Sequence, residues 1–255
     1  MVVAALFLVV FGAFWANISL PSHPWEASPW LGALFIVLAV ATTLVALARQ
    51  LPAQNVVLAA VLIVVIAGAA ETLGALTAIP FGPYVYGGQF GPLLFYPLPW
   101  AAPLLWVVAI LNSRGVARLI MRPWRKTRAY GFWVIGITTA LVVMLDFGLE
   151  PFATLVKHYW FWNPTKLALA YYGAPGVNFF GWAVTTLLIL AFATPSLISK
   201  KHGRQPAAYH PLMVWLLLDL LFASSAATHQ LWPAALLCVA TGGAVAVFAV
   251  RGATW

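Results

Sequence analysis

Apolar runs of roughly 17 to 25 residues recur along the whole chain, the length a helix needs to cross bilayer hydrocarbon at about 1.5 Å per residue. Eight spans can be read: 2–19, 30–48, 55–77, 101–119, 129–149, 176–198, 211–227 and 230–250. A membrane barrel would show short alternating segments, and the unbroken run VVLAAVLIVVIAGAA at 56–70 excludes one. The composition agrees. Only 7% of the residues are charged and 64% are hydrophobic, against about 25% charged in a soluble domain. The expected fold is therefore all-α: a polytopic bundle of eight transmembrane helices forming one integral membrane domain over 1–255. The first span has no basic residue ahead of its apolar stretch, so it is expected to be a helix of the mature protein rather than a secretion signal.

Lys and Arg collect on the cytoplasmic side of membrane proteins. With the N-terminus inside, Arg49, the cluster Arg114 to Arg128, the group Lys200, Lys201 and Arg204, and Arg251 all fall inside. Only Lys157 and Lys166 fall outside. Both termini are expected in the cytoplasm, and the chain in the cytoplasmic (inner) membrane. The net charge of +8 is accounted for by this bias and by anionic lipid heads, with no nucleic acid partner. A single cysteine, Cys238, excludes an intramolecular disulfide. His23, His158, His202, His210 and His229 are dispersed at or beyond span ends, and no Gly-rich phosphate loop appears, so neither a metal nor a nucleotide is expected.

Two connections, both on the expected outer side, do not read as solvated loops. Residues 79–100, IPFGPYVYGGQFGPLLFYPLPW, are too long for a turn and too aromatic for water. Irregular backbone at membrane depth must pack in protein or line a cavity, which predicts a re-entrant or lid-like segment. Residues 151–182 carry Tyr159, Trp160, Trp162, Tyr171 and Tyr172 among Pro and Gly. Some of these belong to the interfacial aromatic belt and the rest to a pocket.

The five acids are the most informative residues, because a charge in hydrocarbon costs at least about 2.5 kcal/mol and survives only when paired or useful. Glu26 falls in the first outer loop and is expected to be solvated. Glu71 lies near the outer end of span three, Asp146 at similar depth in span five, and Glu150 four residues further on, hence on the same helix face. Such groups can be hydrogen-bonded packing elements, but their clustering beneath two unusual loops favours a functional site. A carboxyl in an apolar setting without a basic partner favours its protonated form and so can act as a general acid. Asp219, alone near the middle of span seven, is read as structural.

The segment from about 70 to 185 resembles the membrane carotenoid hydratases, which add water to the end group of acyclic carotenoids. The resemblance rests on Glu71-x-x-Gly74, Pro80-Phe81-Gly82-x-Tyr84-x-Tyr86, Gly91-Pro92, Pro97 and Pro103-Leu104-x-Trp106. It continues in Asp146-x-x-x-Glu150-Pro151, Trp160-x-Trp162, Tyr171-Tyr172-Gly173-x-Pro175-x-x-Asn178 and Gly181-Trp182. The chain departs from the family pattern at Glu150, where Asp commonly precedes the Pro, and at Gly87-Gly88. The resemblance implies a cofactor-free hydro-lyase working by acid–base catalysis: a carboxylic acid protonates the terminal 1,2 double bond and water captures the tertiary carbocation. Asp146 or Glu71 is then the proton donor, and Glu150 helps to hold the water. Tyr84, Tyr86, Tyr172 and Asn178 supply hydrogen bonds to the substrate, Tyr171 also binds it, and Trp160, Trp162 and Trp182 form an aromatic wall that can stabilise a cation. The expected partners are the lipid-dissolved carotenoid, membrane lipids and other carotenoid-processing enzymes. A cyclase or isomerase could begin with the same protonation, and a carotenoid-binding subunit or transporter could use the acids as ligands. A transporter would show interrupted helices in both halves, whereas only the central region here is interrupted.

Overall fold

A computed structural model describes residues 2–20, 29–164, 169–198 and 206–255. Glu26, His23, Lys166, Lys200, Lys201, His202 and Arg204 lie outside the described residues. The long helices are α1 (Val2–Ser19), α2 (Pro29–Ala48), α3 (Ala53–Thr77), α4 (Ala101–Ile120), α5 (Tyr130–Pro151), α6 (Gly176–Ala193), α7 (His210–Thr228) and α8 (Trp232–Ala253). Each, with the short turns that continue α5 and α6, is long and apolar enough to span a bilayer, giving eight spans among the described residues.

The packing is that of a protein dissolved in lipid. Large apolar side chains such as Val57, Val65, Phe132, Leu236 and Phe248 are exposed on the bundle's outer faces, whereas Asp146, Glu150, Asn178, Thr138 and Thr186 are buried inside it. In water this arrangement would leave a continuous apolar surface exposed. In lipid it places these costly polar groups among protein neighbours. Helix α4 is the axis of the bundle: it packs against α2, α3, α5, α7 and α8. It is also the least apolar span, with a mean hydropathy of 1.3, as befits a helix that meets little lipid.

The central connections form the lid. Tyr84–Tyr86 (β1) pairs antiparallel with Trp160–Trp162 (β4), joining the α3–α4 connection to the α5–α6 connection, with Tyr84 opposite Trp162 and Tyr86 opposite Trp160. Strand side chains alternate between faces. Val85 and Phe161 accordingly project outward and are exposed, while Tyr84 and Trp160 are buried on the inner face. Two further ribbons, Leu93–Phe95 with Leu98–Pro99 (β2 and β3) and Ala170–Tyr171 with Ala174–Pro175 (β5 and β6), complete the connections.

The lid is seated by two helical glycines. A Cβ on Gly74 of α3 would lie 2.6 Å from Phe81 Cδ2, and one on Gly181 of α6 would lie 2.8 Å from the Pro80 carbonyl oxygen. Hydrogen at both positions leaves room for the Phe81 ring against α3 and for the Pro80 backbone against α6.

Helix α5 runs further than the apolar pattern predicts. The sequence places its end at 149, whereas the helix continues to Pro151 and then through one π turn, Phe152–Val156. Pro151 has no N–H to give and its ring crowds the carbonyl four residues back; the backbone widens into the π turn immediately beyond it. The Lys157 N–H reaches back to the Phe152 carbonyl at 2.9 Å, and the Tyr159 N–H to that of Ala153 at 2.7 Å. This turn delivers the chain directly into β4. Glu150 is consequently held inside a helix rather than at a loop junction.

Candidate active site

The inner face of the β1–β4 ribbon lies over the acids. Tyr84 and Tyr86 donate hydrogen bonds to Glu71 Oε2 at 2.7 and 2.6 Å, and Trp106 of α4 donates through Nε1 to Glu71 Oε1 at 2.7 Å. Trp162 and Trp160 donate to Glu150 Oε2 at 2.9 and 3.3 Å, and Asn178 of α6 donates through Nδ2 to Glu150 Oε1 at 2.9 Å. The same Asn178 nitrogen donates to Asp146 Oδ2 at 2.9 Å. These donors are all neutral: two phenols, three indoles and an amide. All three acids are buried, Asp146 completely, with 0% exposure.

The two sets of donors differ in one chemical respect. An indole N–H only donates, whereas a phenol O–H can donate or accept. Glu150 is therefore held by groups that favour a carboxylate. Glu71 is held through Oε2 by two groups of which either can reverse its role and accept a hydrogen bond from the protonated acid. Burial, with the Glu71 carboxyl as the second cause, pushes the ionisation of Tyr84 and Tyr86 well above the usual phenol range, so both hydroxyls keep their protons.

Glu71 and Glu150 face one cavity of about 30 Å³, room for about two water molecules. Tyr84, Tyr86, Trp160, Trp162, Asn178 and Trp182 share its wall. These are eight of the residues that the sequence singles out. The structure does not bring the other three to the cavity. Asp146 stands behind Asn178. Tyr171 packs edge-on against Phe147 and Tyr172, and both tyrosines lie against the small α7–α8 cluster of Ala226, Ala234 and Ala235. Conversely, the wall includes Trp106, Phe81 and Phe90, which the reading of site residues passed over. Trp106 stacks on Trp182 with ring centroids 4.0 Å apart and is 1% exposed, despite standing six residues into a span. An indole that deep in a helix, away from the interfacial belt, was the available signal. Asp219 is separate from the cluster: its carboxyl packs over Gly242 of α8, where a Cβ would collide with Oδ2.

Fold and site together define a polytopic membrane protein with a pair of neutral-partnered carboxyls around a small cavity under an aromatic lid. The sequence profile of one family, described as "Carotenoid biosynthesis protein", matches residues 31–245, and the chain belongs to that family. The match extends well beyond the 70–185 segment that carries the motifs. Among curated proteins, the chain is similar to the bisanhydrobacterioruberin hydratase of Haloarcula japonica, with 28% identity over 124 residues. That alignment covers 48% of this chain and 39% of the relative, so the chain spans well under half of the relative's length. No solved structure matches the chain.

Proposed function

We propose that this protein hydrates the terminal 1,2 double bond of an acyclic carotenoid end group, with Glu71 as the proton donor and Glu150 as the base. The observation that carries this reading is the pair of unlike carboxyls on a water-sized cavity: Glu71 held by two phenols on one oxygen and an indole on the other, Glu150 by two indoles and an amide. Family membership and the name of the Haloarcula relative support the substrate class.

Protonated Glu71 gives its proton to the less substituted alkene carbon; the π electrons form the new C–H bond and leave a tertiary cation. Water in the cavity attacks that cation through oxygen while Glu150 takes one of its protons, giving the tertiary alcohol. The sum is alkene plus water, with no oxidant or reductant. Glu71 finishes deprotonated and Glu150 protonated, so water refilling the emptied cavity resets both. The rings of Trp106, Trp160, Trp162 and Trp182 stabilise the transient cation. As it stands the cavity is too small for a polyene end, so the β1–β4 lid or the helices beneath it must part to admit one from the bilayer. On this reading the protein sits in the cytoplasmic membrane with both termini inside and draws on the carotenoid pool shared with other carotenoid-processing enzymes.

The test is product mass with purified protein in liposomes loaded with an acyclic carotenoid. Wild type yields product heavier by one water per reacted end. Glu71→Gln and Glu150→Gln each lose about 100-fold or more, the usual weight of a general acid or base. Product of unchanged mass would make the protein a cyclase or isomerase, and full activity in both amide variants would remove the catalytic reading.

A further inference from the structure

The third acid of the cluster does not reach the cavity, and its hydrogen bonding is unlike that of the other two. Asp146 lies one helical turn before Glu150 on α5. Its Oδ2 accepts from Asn178 Nδ2, while Oδ1 is buried without a partner among the described residues. The Asn178 amide has two N–H hydrogens, and both are committed: one to Asp146 Oδ2 and one to Glu150 Oε1, each at 2.9 Å. This geometry fixes which way the amide is turned.

We infer that Asp146 is a positioning residue: it stays protonated on its unpartnered oxygen and, by anchoring one hydrogen of Asn178, aims the other at Glu150. The inference rests on the hydratase reading of Glu150. A buried oxygen with no donor is far less costly as part of a neutral acid than as part of a carboxylate. Two carboxylates one turn apart on the same NH2 group repel, and a single proton on one of them removes that repulsion. Glu150, whose two indole partners can only donate, keeps the charge; Asp146, with a single donor and one bare oxygen, keeps the proton. Without Asp146 the amide can turn over and present its carbonyl to Glu150, which withdraws a hydrogen bond from the base and sets a second acceptor against it.

A positioning acid and a proton-donating acid respond oppositely to the isosteric amide. Asp146→Asn copies the neutral acid, since its carbonyl can accept from Asn178, and is expected to stay within about threefold of wild-type turnover. Asp146→Leu is expected to lower kcat about 30-fold with KM little changed, and to shift the pH–rate profile. In an Asn178→Ala background, Asp146→Leu should add almost nothing, because its effect passes through Asn178. A readout independent of turnover is the infrared carbonyl absorption of protonated carboxylic acids: Asp146→Asn should remove the Asp146 component and leave that of Glu71, which Glu71→Gln removes instead. Three results would overturn the inference: an Asp146→Asn variant as inactive as Glu71→Gln, full additivity with Asn178→Ala, or an infrared band that Asp146→Asn leaves unchanged. Failure of wild type itself to hydrate would instead strike the hydratase reading, and the infrared result would still decide the state of Asp146.

Discussion

Removing the two phenol hydroxyls that hold Glu71 tests the acid assignment without disturbing the lid. Tyr86→Phe deletes the 2.6 Å bond to Glu71 Oε2 but keeps the ring that stacks on Phe90 at 5.9 Å between centroids. Tyr84→Phe deletes two bonds, to Oε2 at 2.7 Å and to the Glu71 carbonyl at 3.1 Å, and keeps the contact of its ring with Trp162. These bonds strengthen as Glu71 gives up its proton and becomes a carboxylate, and a hydrogen bond to a charged group contributes about 1.5–3 kcal/mol. At 1.36 kcal/mol per factor of ten, each substitution should slow turnover about 10- to 150-fold, with Tyr84→Phe nearer the upper figure. The double variant leaves Oε2 without either phenol and should fall below both singles. The assay is conversion of an acyclic carotenoid in liposomes, scored as hydroxylated product by chromatography and mass. A double variant that folds and turns over at the wild-type rate would refute the idea that these phenols manage the proton on Glu71.

Gly181→Ala should unseat the lid, because its Cβ would fall 2.8 Å from both the Pro80 carbonyl oxygen and Phe81 Cδ1. At an overpacking cost of about 1–3 kcal/mol, proteolysis within residues 79–100 should accelerate while helicity by circular dichroism is unchanged. Tyr84 and Tyr86 both ionise above the ordinary phenol range in the fold, so above about pH 10 the unfolded chain loses protons that the native one keeps, and stability falls as pH rises. Thermal melting of wild type should accordingly drop faster above about pH 10 than that of Tyr84→Phe/Tyr86→Phe. For orientation, a cysteine replacing Lys126 in a Cys238→Ser background should be labelled only by reagents with access to the cytoplasm, and labelling from the outside would invert the topology.

How far the sequence reaches depends on the range of the interactions involved. Span positions depend on local hydropathy over about twenty residues, and the helices fall within a few residues of the positions read from it. The end of α5 departs because a π turn follows Pro151, a change of backbone hydrogen bonding to which hydropathy is blind. Glu71, Asp146 and Glu150 stand out in the sequence because acids are so few in the spans. Which of them shares a cavity was not legible, since it depends on Asn178 and on a strand pairing of residues 84–86 with 160–162, far apart in the chain. The same long-range pairing draws Trp160 and Trp162 onto Glu150 and leaves Tyr171 and Tyr172 against α7 and α8. From composition alone, all of these rings look like one aromatic belt.

The central claim is that a carboxyl of this protein hands a proton to a carbon of the substrate. Turnover in deuterium oxide, followed by washing into ordinary water, measures that transfer directly, because carboxyl and hydroxyl deuterons wash out and a carbon-bound one does not. The hydroxylated product should retain one deuterium per reacted end, on the carbon next to the alcohol-bearing one. Hydroxylated product without carbon-bound deuterium would contradict protonation as the first step.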